Sequence, residues 1–396
     1  MHILYVYGAS SFGGATKSLL YLINKLLEFN ENVSISILTI KKLKKYFDEE
    51  KFNCIGIRWI SKFDITQYGH YRGLRWLVLF REVLFLASSI LKLYKIIRSI
   101  KPDIVHLNDA TFFFYAPIIK FFQKDIKVIL HVRCLIHDKK NLRIKFFKHI
   151  LDNYIDQIIS IDETVRENLL QLTRREIQTI HNGFEINNYL NTSKSSRCFS
   201  VGFIGVLYRA KGIYELMEAI KILLLKKEIK DIKFIIAGLN TREIKNSLFR
   251  VILKKLKLYE DTEKDLLDFI KIHNFEENVI YMGFVEDVNT FYTKIDLLVF
   301  PSHLNAVGRP VFEAGFYGIP SIVAVRNPKP DTIIDMETGI CIDYPDPEKI
   351  AEKIELLYKD RALLEKLGRG AKRLVNKYFD AKLNAKRIMD IYNILH

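Results

Sequence analysis

The chain has 396 residues, too many for one ordinary hydrophobic core, so two domains are the natural division. With 49% hydrophobic and 27% charged residues it is a globular chain, which excludes an intrinsically disordered one. Lys and Arg outnumber Asp and Glu to leave a formal net charge of +15, which favours anionic partners: nucleic acid, phosphorylated ligands or acidic lipid.

The four cysteines, Cys54, Cys134, Cys198 and Cys341, stand far apart with no C-x-x-C pair and read as thiols of a reducing compartment. The opening MHILYVYGAS has no charged leader and only a short apolar run, so no targeting segment is expected. Stretch 74–97 is the most membrane-like, but Arg75, Arg81, Glu82, Lys92 and Lys95 interrupt it. Its longest uncharged run, 83–91, falls well short of the ~20 residues a spanning helix needs. A cytoplasmic protein, soluble or peripheral on the inner face of a membrane, is expected.

In chain order, residues 2–7 read as a strand, 8–14 as a small-residue turn, and 16–29 as a helix with Leu19, Leu20, Ile23, Leu26 and Leu27 on one face. Strands follow at 33–40, 103–107, 126–131 and 157–161. The polar, small-residue stretch 187–200 breaks the rhythm and is the linker candidate. The alternation restarts with strand 201–206, helix 213–226 and strands 233–237, 279–282 and 297–300. An irregular segment then leads to a short helix 311–317 with Pro310 at its first position, the break Gly318-Ile319-Pro320, and strand 321–324. Strands separated by helices imply mostly parallel sheets, hence an α/β fold of two doubly wound domains. Such sheets take their ligands beyond the carboxyl ends of the strands, here in the cleft between the halves.

Four stretches offer chemistry. The turn GASSFGG (8–14) lies between a strand and a helix, where Gly13 and Gly14 let backbone approach a phosphate. It is no Walker A loop, since Gly14 stands where the lysine belongs, and it lacks the G-x-G-x-x-G spacing; a plain tight turn is the competing reading. The loop GVLYRAKG, opening at Gly205, sets Arg209 and Lys211 just before a helix. Two cations there oppose the helix dipole unless an anion lies between, which favours a ligand role. His131 and Arg133 end a first-half strand on one shared face, although a lone His there is more often an ordinary core or surface residue. In 297–324, a strand, a Gly-containing turn and a helix start aim N–H groups and a positive dipole end at one point, which suits a phosphate. Glu313, placed in the first helical turn, either accepts hydrogen bonds from sugar or ribose hydroxyls or only favours its own helix end; both readings stay open.

Taken in sequence, Gly13-Gly14-Ala15 before a helix, KPDIVH (101–106), IHNGFE (180–185), GVLYRAKG (205–212) and PSHLNAVGRPVFEAGFYGIPSIVA (301–324) resemble family 4 of the retaining glycosyltransferases. The similarity runs on through TGICIDYPDPEKIAEKI (338–354) and covers nearly the whole chain. It implies the GT-B fold, two Rossmann-like doubly wound parallel-sheet domains facing across a cleft. Here they would be 1–186 on the acceptor side and 200–376 for the nucleotide sugar, with a linker at 187–199 and a C-terminal helix in 377–396 packing back on the first domain. The implied activity is transfer of a sugar from a UDP- or GDP-type donor to a glycan or lipid-linked acceptor, as in bacterial surface polysaccharide synthesis.

The resemblance also implies residue roles. In the family's Glu-x7-Glu donor pattern, Glu313 would hold the nucleotide ribose, while Asn305 takes the place of the first carboxylate. Val307 and Gly308, next to Arg309, would turn backbone amides toward the donor sugar and diphosphate. Lys211 keeps the family's diphosphate lysine; its arginine position is Val206, so Arg209 is the candidate substitute. Arg133 stands where the family has a histidine, with His131 two residues before it. Gly14 matches the glycine that the diphosphate approaches, and Asn182 and Gly183 match the motif closing the first half.

Such a reaction would be driven by stabilising charge on the leaving diphosphate, through Lys211, Arg209, the Gly14 backbone and the helix start at 308–310. No protein nucleophile is recognisable, and a front-face displacement needs none. No cofactor or metal is expected, since the chain has no Asp-x-Asp. Expected partners are the nucleotide sugar, the glycan or lipid-linked acceptor and, if the basic apolar stretches 74–97 and 139–148 lie on lipid, an anionic membrane surface; core-packed helices with basic outer faces are the alternative. A nucleotide-sugar 2-epimerase of the same fold is the competing enzyme. A dehydrogenase lacks its fingerprint, and a nucleic-acid-binding protein suits the charge but no recognised module. Stretch 240–264 is longer than such folds need and has no assigned role.

Overall fold

The computed structural model describes residues 1–9, 13–29, 32–48, 53–67, 76–137, 141–184, 198–240 and 261–396. The chain forms two compact units, one of Met1–Glu185 with Tyr378–His396, the other of Ile186–Lys377. The polar stretch 187–197 and most of 240–264 lie outside the described residues, as do 10–12 of the glycine turn and 139–140 of the basic stretch.

Unit 1 is built on seven parallel strands: β1 (His2–Val6), β2 (Ser34–Ile40), β3 (Asn53–Ile57), β4 (Ile104–Leu107), β5 (Lys127–Val132), β6 (Gln157–Ser160) and β7 (Ile177–Thr179). Their order is β3-β2-β1-β4-β5-β6-β7, and every pairing is parallel. Strand alternation divides the apolar side chains between two cores. Leu4, Val6, Val105 and Leu107 face the layer made by α4 (Leu86–Ile100), α5 (Tyr115–Phe122) and α6 (Leu142–Tyr154). Ile3, Tyr5, Ile104 and Ile129 face α1 (Gly14–Phe29). The other helices among the described residues before the second unit are α2 (Lys41–Asp48), α3 (Trp76–Leu84) and α7 (Glu163–Leu170).

Unit 2 has six parallel strands, β8 (Phe199–Ile204), β9 (Ile232–Ala237), β10 (Val279–Gly283), β11 (Leu297–Phe300), β12 (Ser321–Ala324) and β13 (Ile340–Ile342), in the order β10-β9-β8-β11-β12-β13. Its described residues form the helices α8 (Ile213–Lys221), α9 (Thr262–Ile272), α10 (Asn289–Tyr292), α11 (Arg309–Phe316), α12 (Pro347–Lys359) and α13 (Arg361–Tyr378). The single helix expected over 213–226 instead changes pitch, with a π-helical turn at Ile222–Lys226 after α8. Phe199 and Ser200, expected in the linker, already belong to β8.

The last helix, α14 (Ala381–Leu395), returns to unit 1 and completes the core under α1 with Ala385, Ile388, Met389 and Tyr392. It starts against Gly183, where an added Cβ would lie 2.5 Å from Ala381 Cα. Phe184 and Ala381 are joined by Phe184 N–H donating to Phe379 O at 2.8 Å and Ala381 N–H to Phe184 O at 3.2 Å. The Asn182-Gly183 motif thus admits the returning chain. Among the described residues no helix is long and apolar enough to cross a membrane.

Candidate active site

In each unit the strand order reverses beside the first strand, between β1 and β4 in one and between β8 and β11 in the other. Open parallel sheets leave a crevice at that point, because successive crossovers go to opposite faces. The candidate residues collect at the carboxyl ends of these strands.

In unit 1 a pocket of about 440 Å³ lies there, lined by Tyr7 and Gly8 after β1, Asn108 and Asp109 after β4, Arg133 after β5, and Lys62. Gly8 is required by packing, since a Cβ would come within 2.8 Å of the Phe112 ring. Lys62 Nζ donates to Gly8 O at 3.1 Å. Gly13 and Gly14 lie at the exposed start of α1, and Ala15 reaches the pocket wall.

Arg133 is fixed on three sides. Nε donates to Asn108 O at 3.1 Å, one terminal nitrogen to Asn108 Oδ1 at 2.7 Å, and the other to Asn182 Oδ1. Because the guanidinium holds Oδ1 of Asn108, the amide NH₂ is turned away from it, and this buried Nδ2 has no protein partner. An unpaired buried donor on a pocket wall is costly unless a ligand satisfies it.

His131 is placed differently from the expectation that paired it with Arg133 at the site. It is 2% exposed and does not line the pocket. The reason is position: residue 131 is still inside β5, under the covering helix layer, while residue 133 is past the strand's end. Its Nδ1 lies 3.4 Å from Arg133 and 3.3 Å from His106 Nε2; His106 Nδ1 is 2.7 Å from the Tyr392 hydroxyl, itself 2.5 Å from that of Tyr5. A guanidinium only donates, so His131 Nδ1 accepts, and the proton order follows along the row: Tyr5 to Tyr392, Tyr392 to His106, His106 to His131. Burial, then the Arg133 charge, holds His106 at a pKa of about 3 and His131 well below its ordinary value. Both rings are therefore neutral. His106, Tyr392 and Asn108 were missed as site-supporting residues; His106 closes the KPDIVH stretch, but nothing local marks the other two.

In unit 2 the loop after β8 forms a 3-10 turn, Arg209–Lys211, ending at Gly212 with φ 78°. A Cβ at Gly212 would lie 1.8 Å from Pro301 O, so the loops after β8 and β11 touch backbone to backbone. His303 N–H and the Ser302 hydroxyl both donate to Ala210 O, at 3.0 and 3.2 Å. Gly205 is held by its N–H to Ala237 O at 3.0 Å. The two cations of the turn go to different rings: Arg209 lies 4.3 Å from the Tyr214 ring centre and Lys211 Nζ 5.3 Å from that of Phe300. Burial lowers the Lys211 pKa.

Phe300, another residue missed from sequence, is the floor of this arrangement. Its ring also lies against Gly308, where a Cβ would come within 2.3 Å. Gly308 is the residue before α11, which begins at Arg309 and not at Pro310 or Val311. Glu313 is therefore in the second turn, which removes the helix-end argument for it. The carboxylate is held by Arg309 Nε at 2.6 Å and the Tyr292 hydroxyl at 2.9 Å, one on each oxygen. Each oxygen keeps a further acceptor site. Asn305 adopts a left-handed conformation, φ 47°, and its Oδ1 accepts from Arg326 N–H at 2.7 Å. Val307 is half-buried against the core beside it.

Two family profiles match the chain: Glycosyltransferase Family 4 over residues 12–188 and Glycosyl transferases group 1 over residues 193–374. The capsular polysaccharide biosynthesis glycosyltransferase CapM of Staphylococcus aureus is 28% identical over 195 residues, 49% of this chain and 46% of CapM, so the match spans about half of that relative. Anabaena HepE, crystallised with UDP, shares the fold at a TM-score of 0.74 and 17% identity, covering 99% of this chain and 100% of HepE. A glycosyltransferase from Rickettsia africae ESF-5 superposes with a TM-score of 0.74 at 17% identity, over 100% of this chain and 98% of that one. The two profiles follow one another along the chain, each falling almost wholly on one of the two parallel-sheet units; the chain has the GT-B fold and belongs to the group 1, family 4 glycosyltransferases.

Proposed function

We propose that the chain transfers a sugar from a nucleotide-sugar donor, with retention of configuration, to a glycan or lipid-linked saccharide in surface polysaccharide synthesis. The observation that carries this reading is the cradle after β8 and β11: Lys211 and Gly308 share the Phe300 ring, and the Glu313 carboxylate stands one helical turn further on. A diphosphate fits the first pair, since a half-buried ammonium is costly without an anion, and ribose hydroxyls fit the second. Barrier lowering would come from Lys211, Arg209 and the start of α11 acting on the leaving diphosphate, with no cofactor beyond the donor. HepE has been crystallised with UDP and with UDP-glucose, which makes a UDP-sugar the first donor to test. Asn305 gives its oxygen to the backbone of Arg326, so donor contacts at that position would come from the amide NH₂ and neighbouring main chain.

The unit 1 pocket is assigned to the acceptor, with Arg133 and Asn108 on its wall and Gly13 and Gly14 just ahead of Ala15 at the start of α1. His131 acts through Arg133 as a positioning residue. The kinship with CapM supports capsule-type substrates; a place at the inner face of a membrane is proposed with them.

Thermal melting against a panel of nucleoside diphosphates and nucleotide sugars tests the donor assignment, because a ligand bound only by the folded state raises Tm. Product analysis then separates transfer from epimerisation: a new glycoside supports the proposal, whereas free epimerised sugar points to a 2-epimerase. Lys211→Met is expected to lower kcat by roughly 10²-fold with little change in KM, as for loss of one charge-stabilising group. Normal turnover would remove Lys211 from the mechanism.

A further inference from the structure

Helix α3 has its two faces reversed. Trp76, Leu77, Phe80, Val83 and Leu84 fall at the spacing of an apolar stripe that ordinarily faces a core. Here all five are between 54% and 68% exposed. The inward residue is Glu82, 1% exposed, whose carboxylate accepts from Trp59 Nε1 at 3.2 Å, Lys62 N at 3.1 Å and the Arg81 guanidinium at 2.8 Å. The Ser61 hydroxyl donates to Glu82 O at 2.8 Å, so polar contacts anchor the helix and the apolar stripe is left facing outward. An exposed apolar stripe of this kind marks an interaction surface.

The exposed charge on α3 and its neighbour α4 is of one sign. Arg81, Lys92, Lys95 and Arg98 lie on α3 and α4, where the only acid is the buried, paired Glu82. On the same side of the sheet α6 adds Arg143, Lys145 and Lys148 with Leu142 and Phe146 exposed. A second copy meeting this surface about a two-fold axis would bring like charges together. An anionic bilayer neutralises the cations and takes the apolar side chains.

We propose that α3 is a membrane-docking helix, inserting Trp76, Leu77, Phe80 and Leu84 among the acyl chains of an anionic bilayer. Val78 and Arg81 of the same helix line the unit 1 pocket, so docking brings the pocket mouth to the lipid surface. A saccharide carried on lipid then reaches Asn108 and Arg133 without leaving the membrane. That last consequence rests on the proposed transfer activity; the docking itself does not.

The test is flotation of the full chain with phosphatidylcholine vesicles, with and without phosphatidylglycerol, beside the variant Leu77→Ser/Phe80→Ser/Leu84→Ser. The native chain is expected to float with the anionic vesicles and to dissociate with salt, while the variant's partition falls about tenfold or more at an unchanged Tm. Brominated acyl chains are expected to quench the native fluorescence more than that of Trp76→Phe. Equal flotation of native chain and variant overturns the proposal, as does a native chain that stays in solution. A concentration-dependent dimer abolished in the variant overturns it in favour of a second copy. Nucleotide-induced thermal shifts, measured on both proteins, are read separately. Their absence with flotation as expected would sink the transfer activity and leave the docking standing.

Discussion

Arg133 shows how a single side chain acquires a role from its surroundings. Its guanidinium spans Asn108 and Asn182 and fixes the tautomer of His131, so a buried row reaching to Tyr5 is ordered from the pocket inward. The same row makes unit 1 sensitive to acid. His106 has a folded pKa near 3, below its unfolded value near 6.5, so between these the unfolded state binds the extra proton and stability is lost as pH falls. His131 adds in the same direction, while Arg133 stays charged and Tyr5 and Tyr392 stay neutral throughout that window. Urea unfolding of His106→Gln is expected to show a smaller drop between pH 6.5 and 5 than the native chain, by about 2 kcal/mol. Parallel pH profiles would show that His106 is not the source. Glu313→Ala is expected to weaken nucleotide-sugar binding by roughly 10- to 100-fold, the cost of losing a charge-assisted hydrogen bond. Calorimetric titration checks this, and an unchanged affinity would leave Glu313 as no more than the clasp between Arg309 and Tyr292.

Elements meet in this fold where there is no room for side chains. Gly212 combines φ 78° with a backbone approach that leaves 1.8 Å for a Cβ, so the turn after β8 and the residues after β11 are locked as one surface. Gly212→Ala is expected to destabilise unit 2 by about 2 kcal/mol or more, from strain and displaced backbone together. Gly205→Ala is the control, because its Cβ would meet nothing within 4 Å. Similar melting of the two variants would show that the loops yield easily. At this scale the sequence was informative about interior strands and less so about edges, where β10 was expected and three others were not. All three strands absent from the sequence-based pattern, β3, β7 and β13, are edge strands, two of them only three residues long. Too few residues alternate there to produce a period.

For the whole molecule, the return of α14 to unit 1 matters most. Ile388, Met389, Ile391 and Tyr392 are buried with Ile3, Tyr5 and Leu19, so the first and last elements of the chain share one core. A chain ending at Lys377 is expected to lose the cooperative unfolding of unit 1, read as vanished near-ultraviolet circular dichroism and a broadened melting curve. A sharp transition in the shortened chain would show that α14 is dispensable. The net charge of +15 also belongs to this scale, and the cations beside α3 show one place where it is concentrated.

Hydrophobic periodicity and small-residue turns were enough to establish two parallel-sheet units, because burial on both faces leaves continuous apolar runs that local sequence displays. Motif order was enough to point to the family. Which side chains share a site was decided only by the folded chain. His131 looked equivalent to Arg133 until the sheet covered one and not the other, and Tyr392 joined the site from the far end of the sequence. The direction α3 faces was left open, since its stripe reads equally as lipid-facing or core-facing until Glu82 finds its donors in Trp59, Lys62 and Arg81. Periodicity records which residues lie on a common face, whereas the orientation of that face depends on partners distant along the chain.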